Sequence, residues 1–322
     1  VVVLGGGGAS SGWLDDGGVY DLDAQTWSTM TTTVAAQGAT CMVTVGERIF
    51  AGCAFSSGGA LYDPATDAWA RVSPAGAPSR RLTCACASMG DRVFVWGGSQ
   101  LASFEGGDTD LGDGAIYDRA TDTWTPISSD GAPSPRSSAT AAWTGREVVV
   151  WGGVEHRPGS RFTALTDGRI YDPVADRWRP ITSVGAPVDS IAAAVWSGRS
   201  VVTWGSGAAG AVSVHAYDPT FDEWSVLPQG PLRQGTAAPS MAWSEGAVLI
   251  YGGWLGSESA TAAGAWYRPA TRSWHPIASP APAARGGAAT VDVPGGVFVW
   301  GGALGLVDKD SFRSDGAIFE AP

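Results

Sequence analysis

A tyrosine followed seven residues later by a tryptophan recurs six times along this chain. The pairs are Tyr20/Trp27, Tyr62/Trp69, Tyr117/Trp124, Tyr171/Trp178, Tyr217/Trp224 and Tyr267/Trp274. Asp follows the Tyr in the first five copies and Arg268 in the sixth, and a seventh copy begins at Phe319. A second motif, an apolar run ending in two small residues, occurs seven times. It reads through Gly5-Gly6, Gly52-Cys53, Gly97-Gly98, Gly152-Gly153, Gly205-Ser206, Gly252-Gly253 and Gly301-Gly302. Self-similarity with a period of about fifty residues means one small structural unit stacked on copies of itself.

The spacings divide each unit into a fixed and a variable part. From each Trp to the next first Gly the distances are 25, 28, 28, 27, 28 and 27 residues; from that Gly to the next aromatic they run from 10 to 20. The first interval is packed structure and the second contains a loop free to change. Each unit reads as four short strands. Strand a is small and apolar (Ser-Ala-Thr-Ala-Ala-Trp143), a Gly turn follows, and strand b runs from Glu147 to Trp151. The variable loop leads to strand c (Arg169-Ile-Tyr-Asp172), and the turn Pro173-Val-Ala-Asp176 leads to strand d around Trp178. Pro and Asp favour that turn through a preset φ and Asx-type hydrogen bonds.

These residues resemble kelch repeats: Gly-Gly closing strand b, Tyr-Asp on strand c, Trp on strand d and often Arg opening strand a. The phrases Ala-Trp-Thr-Gly-Arg-Glu-Val-Val-Val-Trp-Gly-Gly and Tyr-Asp-Pro-Ala-Thr-Asp-Ala-Trp resemble bacterial kelch-repeat proteins in particular. The likeness spans essentially the whole chain. It implies an all-β, kelch-type β-propeller forming one domain over residues 1–322, with strand a lining a central channel. Physical chemistry agrees: one blade cannot bury both its faces, and its neighbours must.

Counting gives seven b, seven c, six a and six d strands, or 26, where six blades need 24 and seven need 28. Seven blades are expected, the first lacking strand a and the last lacking strand d, with six complete blades as the alternative. The count also predicts a d–a segment of roughly 25–30 residues upstream of Val1.

Charge and cysteine content narrow the functional classes. The net charge is −11, with 31 acids against 20 bases, opposite to what a phosphate backbone attracts. No apolar run reaches the ~18 residues of a membrane-spanning helix. Neither nucleic acid nor membrane is an expected partner. Cys41, Cys53, Cys84 and Cys86 lack Cys-x-x-Cys metal spacing, and no metal and no cofactor are expected. They read either as small buried residues or as one disulfide, Cys41–Cys53 across the a–b hairpin or a bridge between neighbouring blades. Cys84 and Cys86 point to one face of a strand. Acidic charge, a single Lys and high Trp and Gly content fit an exported protein, secreted or periplasmic, and a monomer.

In a kelch propeller the b–c and d–a loops share one face. Repetition separates scaffold from site: Asp16, Asp113, Asp167 and Asp315 each precede a Gly three residues before the strand-c aromatic and read as recurring turns. The ligand-binding candidates are Arg81, Arg136 and Arg285 opening strand a, Glu105, His156 and Arg161 in the variable loops, and Trp13 and Trp254 as stacking surfaces. An Arg cluster grips carboxylates bidentately. Gln37, Asp189 and Gln234 lie at or near the corresponding points of other repeats.

The expected function is a binding module taking a peptide, a glycan or a small acid over the channel mouth. An enzyme on the same face, or a purely structural domain of a larger secreted protein, are the alternatives. Copper radical oxidases of this fold use two His, two Tyr and a Cys cross-linked to Tyr, a set not evident among His156, His215 and His275. Iron-dependent specifier proteins use loop carboxylates and a His, which Glu105, Asp108 and His156 imitate without a compact motif. Sialic-acid mutarotases use channel-mouth Arg residues, and Arg81, Arg136 and Arg285 keep that class open. No His-Glu-x-x-His or Gly-x-x-x-x-Gly-Lys pattern is present.

Overall fold

The computed structural model describes residues 1–8, 12–33, 36–53, 57–100, 109–156, 163–188, 190–206, 210–232, 234, 236–255, 259–277, 282–305 and 312–322. Seven sheets succeed one another along the chain, in the arrangement of a seven-bladed kelch propeller. The first has three strands, Val2–Gly8, Gly12–Asp21 and Thr26–Thr29. The second is complete, with strands a to d at Cys41–Val45, Arg48–Gly52, Ala60–Asp63 and Ala68–Arg71. The third comprises Ala85–Ser88, Arg92–Trp96, Gly114–Asp118 and Thr123–Pro126. The fourth comprises Thr140–Trp143, Val148–Trp151, Gly168–Asp172 and Arg177–Pro180.

The fifth sheet holds Ser190–Trp196, Val201–Ser206, Val212–Asp218 and Glu223–Val226. The sixth holds Ser240–Ser244, Ala247–Tyr251, Gly264–Arg268 and Ser273–Pro276. The seventh stops at three, Ala289–Val293, Gly296–Trp300 and Gly316–Glu320. Among the described residues the first sheet thus has no strand a and the seventh no strand d, in line with the strand count. Two short hairpins rise from the b–c connections of the third and fourth blades: Ser99–Gln100 with Thr109–Asp110, and Val154–Glu155 with Thr163–Ala164. The chain forms two units, Val1–Gly7 with Trp13–Ile181, and Gly8–Gly12 with Thr182–Pro322. Among the described residues, no helix is long and apolar enough to cross a membrane.

The seven-residue spacing is the register of the c–d hairpin. In all six copies the Tyr and Trp are direct cross-strand partners, from Tyr20↔Trp27 to Tyr267↔Trp274. Their rings lie 4.9–5.2 Å apart, tilted at 42–47°, within the roughly 4.5–7 Å centroid range of interacting aromatic pairs. The apolar core lies between blades. Phe50 and Cys41 of the second blade cluster with Val93, Tyr117 and Trp124 of the third. Phe94 and Trp96 pack with Tyr171 and Trp178 of the fourth. In the second unit, Trp204 and Leu227 pack with Tyr267, and Leu249 and Tyr251 with Val299 and Phe319. A blade removed from its neighbour therefore exposes its own core.

A polar latch accompanies each aromatic wedge. Five residues after the Tyr, the turn reaches a left-handed residue: Gln25, Asp67, Asp122, Asp176, Asp222 and Arg272 have φ of 48–56°. In four repeats this residue is Asp, and Oδ1 accepts the Tyr hydroxyl at 2.6–3.0 Å. The same oxygen accepts the backbone N–H four residues beyond the preceding strand-d Trp, from Thr31, Ser73, Ser128 and Thr182, at 2.9–3.1 Å. The carbonyl of that same residue accepts the indole N–H of Trp69, Trp124, Trp178 and Trp224 at 2.6–3.0 Å. The N–H and hydroxyl of Thr31, with the Tyr62 hydroxyl, hold the Asp67 carboxyl below its ordinary range. Burial, and then the Asp67 carboxylate, push Tyr62 up to about 12; Tyr117 and Tyr171 rise for the same reasons.

The cysteines form two bridges, Cys41–Cys86 and Cys53–Cys84, each with Cα atoms 6.1 Å apart. This corrects the Cys41–Cys53 pairing and realises the alternative of a bridge between blades. Cys41 lies opposite Gly52 on the a–b hairpin, and Cys53 follows with a left-handed φ of 51°. Their sulfurs meet Cys86 on the next blade's strand a and Cys84 immediately before it. Cys41, Cys53 and Cys84 lie close enough together to form a potential metal-ligand group, but each sulfur is engaged in a bridge.

Candidate functional site

The Gly-Gly ends of strand b fold the chain back onto the start of strand a. Gly97-Gly98, Gly152-Gly153, Gly252-Gly253 and Gly301-Gly302 all have positive φ. The next residue then bridges back: Ser99 to Leu82, Val154 to Ser137, Trp254 to Ala237 and Ala303 to Gly286. A side chain at Gly98 would meet the Leu82 carbonyl at 2.6 Å, so the reversal requires glycine there.

The candidate arginines sit at the root of this reversal. Arg81, Arg136 and Arg285 are 0–3% exposed. Nε of Arg81 donates to the Ser79 carbonyl, Nη1 to the carbonyls of Gly97 and Asp113, and Nη2 to Ser79 Oγ and Asp113 Oδ2, all at 2.9–3.0 Å. These five contacts match the five N–H donors of a guanidinium. Arg136 repeats the pattern with Ser134, Gly152 and Asp167, and Arg285 with Ala283, Gly301 and Asp315. The guanidinium fastens strand b to strand c within its own blade. The arginine backbone also links blades: Gly98 N–H donates to the Arg136 carbonyl and Gly253 N–H to that of Arg285, each at 2.8 Å. The structure places these three residues in the frame, with their donors turned inward.

The sixth blade explains the rule by breaking it. Thr236 occupies the arginine position and donates to the Gly252 carbonyl at 3.0 Å, sixteen residues on as in the other three. The acid is missing as well, because Ala263 takes the place of Asp113, Asp167 and Asp315. In the second to seventh blades, where the sequence includes both positions, Arg and Asp are present together or absent together. Gln234, two residues earlier, is not the equivalent position. Asp189 lies outside the described residues.

The remaining candidates divide. Trp254 is a blade-edge cover: its indole N–H donates to the Ala303 carbonyl at 3.3 Å, and its ring lies where side chains on Gly286 or Gly287 would stand. Glu105, Asp108 and Arg161 lie outside the described residues, as does the side chain of Trp13. His215 is inside strand c, opposite Thr203 and Val226, and not in a b–c loop. His275 meets Ser273 Oγ at 3.0 Å.

His156 is the loop residue that the structure ties down. Its Nδ1 lies 2.9 Å from Asp110 Oδ1, and its backbone N–H donates to Asp110 Oδ2. The Asp110 side chain is 5% exposed and that of His156 25%. The contact joins the short hairpin of the third blade to that of the fourth. An imidazole held through Nδ1 has its ring orientation set by the carboxylate.

Repeated antiparallel sheets, wedged by cross-strand Tyr–Trp pairs and joined by connections of variable length, define a β-propeller. The family model of the KLHDC2/KLHL20/DRC7 Kelch-repeats domain matches residues 49–253. The chain belongs to the kelch-repeat family. It is 24% identical over 234 residues to Kelch-like protein terF of Aspergillus terreus, covering 68% of this chain and 49% of that protein. It is 28% identical over 288 residues to Acyl-CoA-binding domain-containing protein 4 of Arabidopsis thaliana, covering 78% and 41%. Human Kelch-like protein 23 matches at 27% over 180 residues, covering 53% and 29%. The chain thus spans less than half the length of these relatives. The solved structure of YjhT superposes with a TM-score of 0.64 at 15% identity, over 85% of this chain and 92% of that one. That likeness shows the fold. A kelch propeller is a binding module.

Proposed function

We propose that the b–c loop rim of the first unit binds a peptide segment of a partner protein. The observation that carries this reading is the His156–Asp110 contact, which joins the hairpins of two consecutive blades into one edge. Loops that present a surface need ordering by the scaffold beneath them, and a buried carboxylate under a partly exposed imidazole supplies it. The inward-turned arginines argue against a small acid held by Arg81, Arg136 and Arg285. The two disulfides support a secreted or periplasmic setting, since such bridges persist in oxidising compartments.

The test is selection of a random peptide display library on the immobilised protein, followed by titration of the enriched peptides against His156→Ala and Asp110→Ala. Saturable binding that weakens about tenfold or more in both folded variants is the expected result. No enrichment, or enriched peptides indifferent to both changes, overturns the proposal. A count of free thiols in the native protein tests the compartment: none are expected, and four would refute it.

A further inference from the structure

The sixth blade breaks the polar latch as well as the arginine frame. The latch position after Tyr267 is Arg272, with the same left-handed φ of 52° as its Asp counterparts. The residue that should donate its N–H is Pro228, which has none. Both halves of the hydrogen bond are lost together. Trp274 still donates to the Pro228 carbonyl at 2.7 Å, and Tyr267 still faces Trp274 at 5.0 Å, so the wedge itself survives.

The place vacated by the carboxylate borders a cavity of about 510 Å³ between the fifth and sixth blades, within the range of small-molecule sites. Tyr267 and Arg272 line it from the sixth blade, and Trp224, Phe221 and Leu227 from the fifth. In four blades the Tyr hydroxyl donates to the latch Asp. Among the described residues no acceptor stands at hydrogen-bond distance from Tyr267 Oη, and Arg272 forms no ion pair. The Arg272 charge acts on the Tyr267 phenol, partly offsetting the burial that raises its pKa. The other charged groups lining the cavity are Glu223 and the Arg199–Asp218 pair, joined at 3.3 Å. Phe221 is 65% exposed.

We propose that this cavity binds an organic carboxylate. Its anionic group takes the position that Asp67, Asp122, Asp176 and Asp222 fill in the other blades, accepting from Tyr267 Oη and pairing with the Arg272 guanidinium. Its apolar body lies against Trp224, Phe221 and Leu227. A carboxylate is the anion of choice because the protein itself places one there four times, beside the same phenol. Trp224, Phe221 and Leu227 supply the apolar surface for that body. The site is lined from the a–b and c–d turns and adjoining strands of its own two blades, with no b–c loop residue among its lining, and is independent of the function proposed above.

The probe is 4-fluorophenylacetate, titrated by fluorine NMR into the intact chain. Its neutral amide is the charge control. A hexapeptide ending in phenylalanine, with free or amidated C-terminus, tests whether the carboxylate comes from a free acid or a chain end. Saturable binding by either carboxylate is expected, weakened about tenfold or more in the matching amide. Arg272→Asp, which installs the sibling residue, and Tyr267→Phe should each weaken it similarly, with far-UV circular dichroism unchanged. Absence of binding by both carboxylates, amides that bind as well, or Arg272→Asp and Tyr267→Phe that both bind as the natural chain does, each overturns the proposal.

Discussion

Replacing Arg136 with alanine discriminates between an arginine that waits for a ligand and one that holds a blade together. The side chain is fully buried, and its guanidinium contacts Ser134, Gly152 and Asp167 at 2.7–3.2 Å. Removing one partner of a buried ion pair costs about 3–5 kcal/mol. The Asp167 side chain is 52% exposed, so water recovers part of the loss on that side. The Asp167 carbonyl also keeps the Gly152 N–H. The Gly152 carbonyl loses its hydrogen bond and the cavity left by the side chain adds to the cost, which places the total near the lower limit, about 3 kcal/mol. At ~2–4 °C per kcal/mol for a chain of this size, the thermal midpoint should fall by roughly 6–12 °C. Arg136→Lys should recover little, because an ammonium cannot span the two strands with a planar fork. The assay is thermal and urea unfolding followed by tryptophan fluorescence and far-UV circular dichroism. A surface ligand-binding arginine would change stability by no more than about 0.5 kcal/mol, and a loss below ~1 kcal/mol would refute the assignment to the frame.

Three further outcomes follow from the same structure. Asp122→Ala should destabilise by about 1–2 kcal/mol more than Asp122→Asn, since Asn keeps an acceptor for Tyr117 and Ser73 and tolerates the left-handed backbone; equal losses in urea unfolding would contradict the latch. The tyrosine pKa values raised in the fold mean that the folded chain holds its phenols neutral where the unfolded chain has lost the proton. Stability is therefore full below about pH 10 and declines as pH rises through the interval towards the folded values. Thermal midpoints read beside phenolate absorbance should show ionisation and unfolding together, and phenolate formation at ordinary pH in a still-folded chain would refute this. Converting Cys53 and Cys84 together to serine removes one bridge and should cost about 2–4 kcal/mol, visible as a lower midpoint without reductant; a midpoint equal to that of the unaltered chain would argue against the pairing.

What the sequence determined by itself is the repeating architecture. Blade number, the incomplete first and last sheets, and the Tyr–Trp register were all legible, because each rests on local periodicity and on residue types with one dominant conformational use. The chemistry of the recurring polar residues was only half legible. Arg81 and Asp113 stand 32 positions apart, and nothing local says that a guanidinium at one meets a carboxylate at the other. Only the folded chain brings strand b, strand c and the start of strand a to one point, turning three candidate ligand contacts into frame bonds. The Cys53–Cys84 bridge and the His156–Asp110 contact belong to the same class, since each joins residues of consecutive blades that stand 31 and 46 positions apart in the chain. The paired departures at Pro228 and Arg272 were printed in the sequence too, but they acquire meaning only beside four intact latches. Backbone periodicity is a local property and is read locally; the partner of a buried donor is a matter of three-dimensional proximity, and tertiary structure alone assigns it.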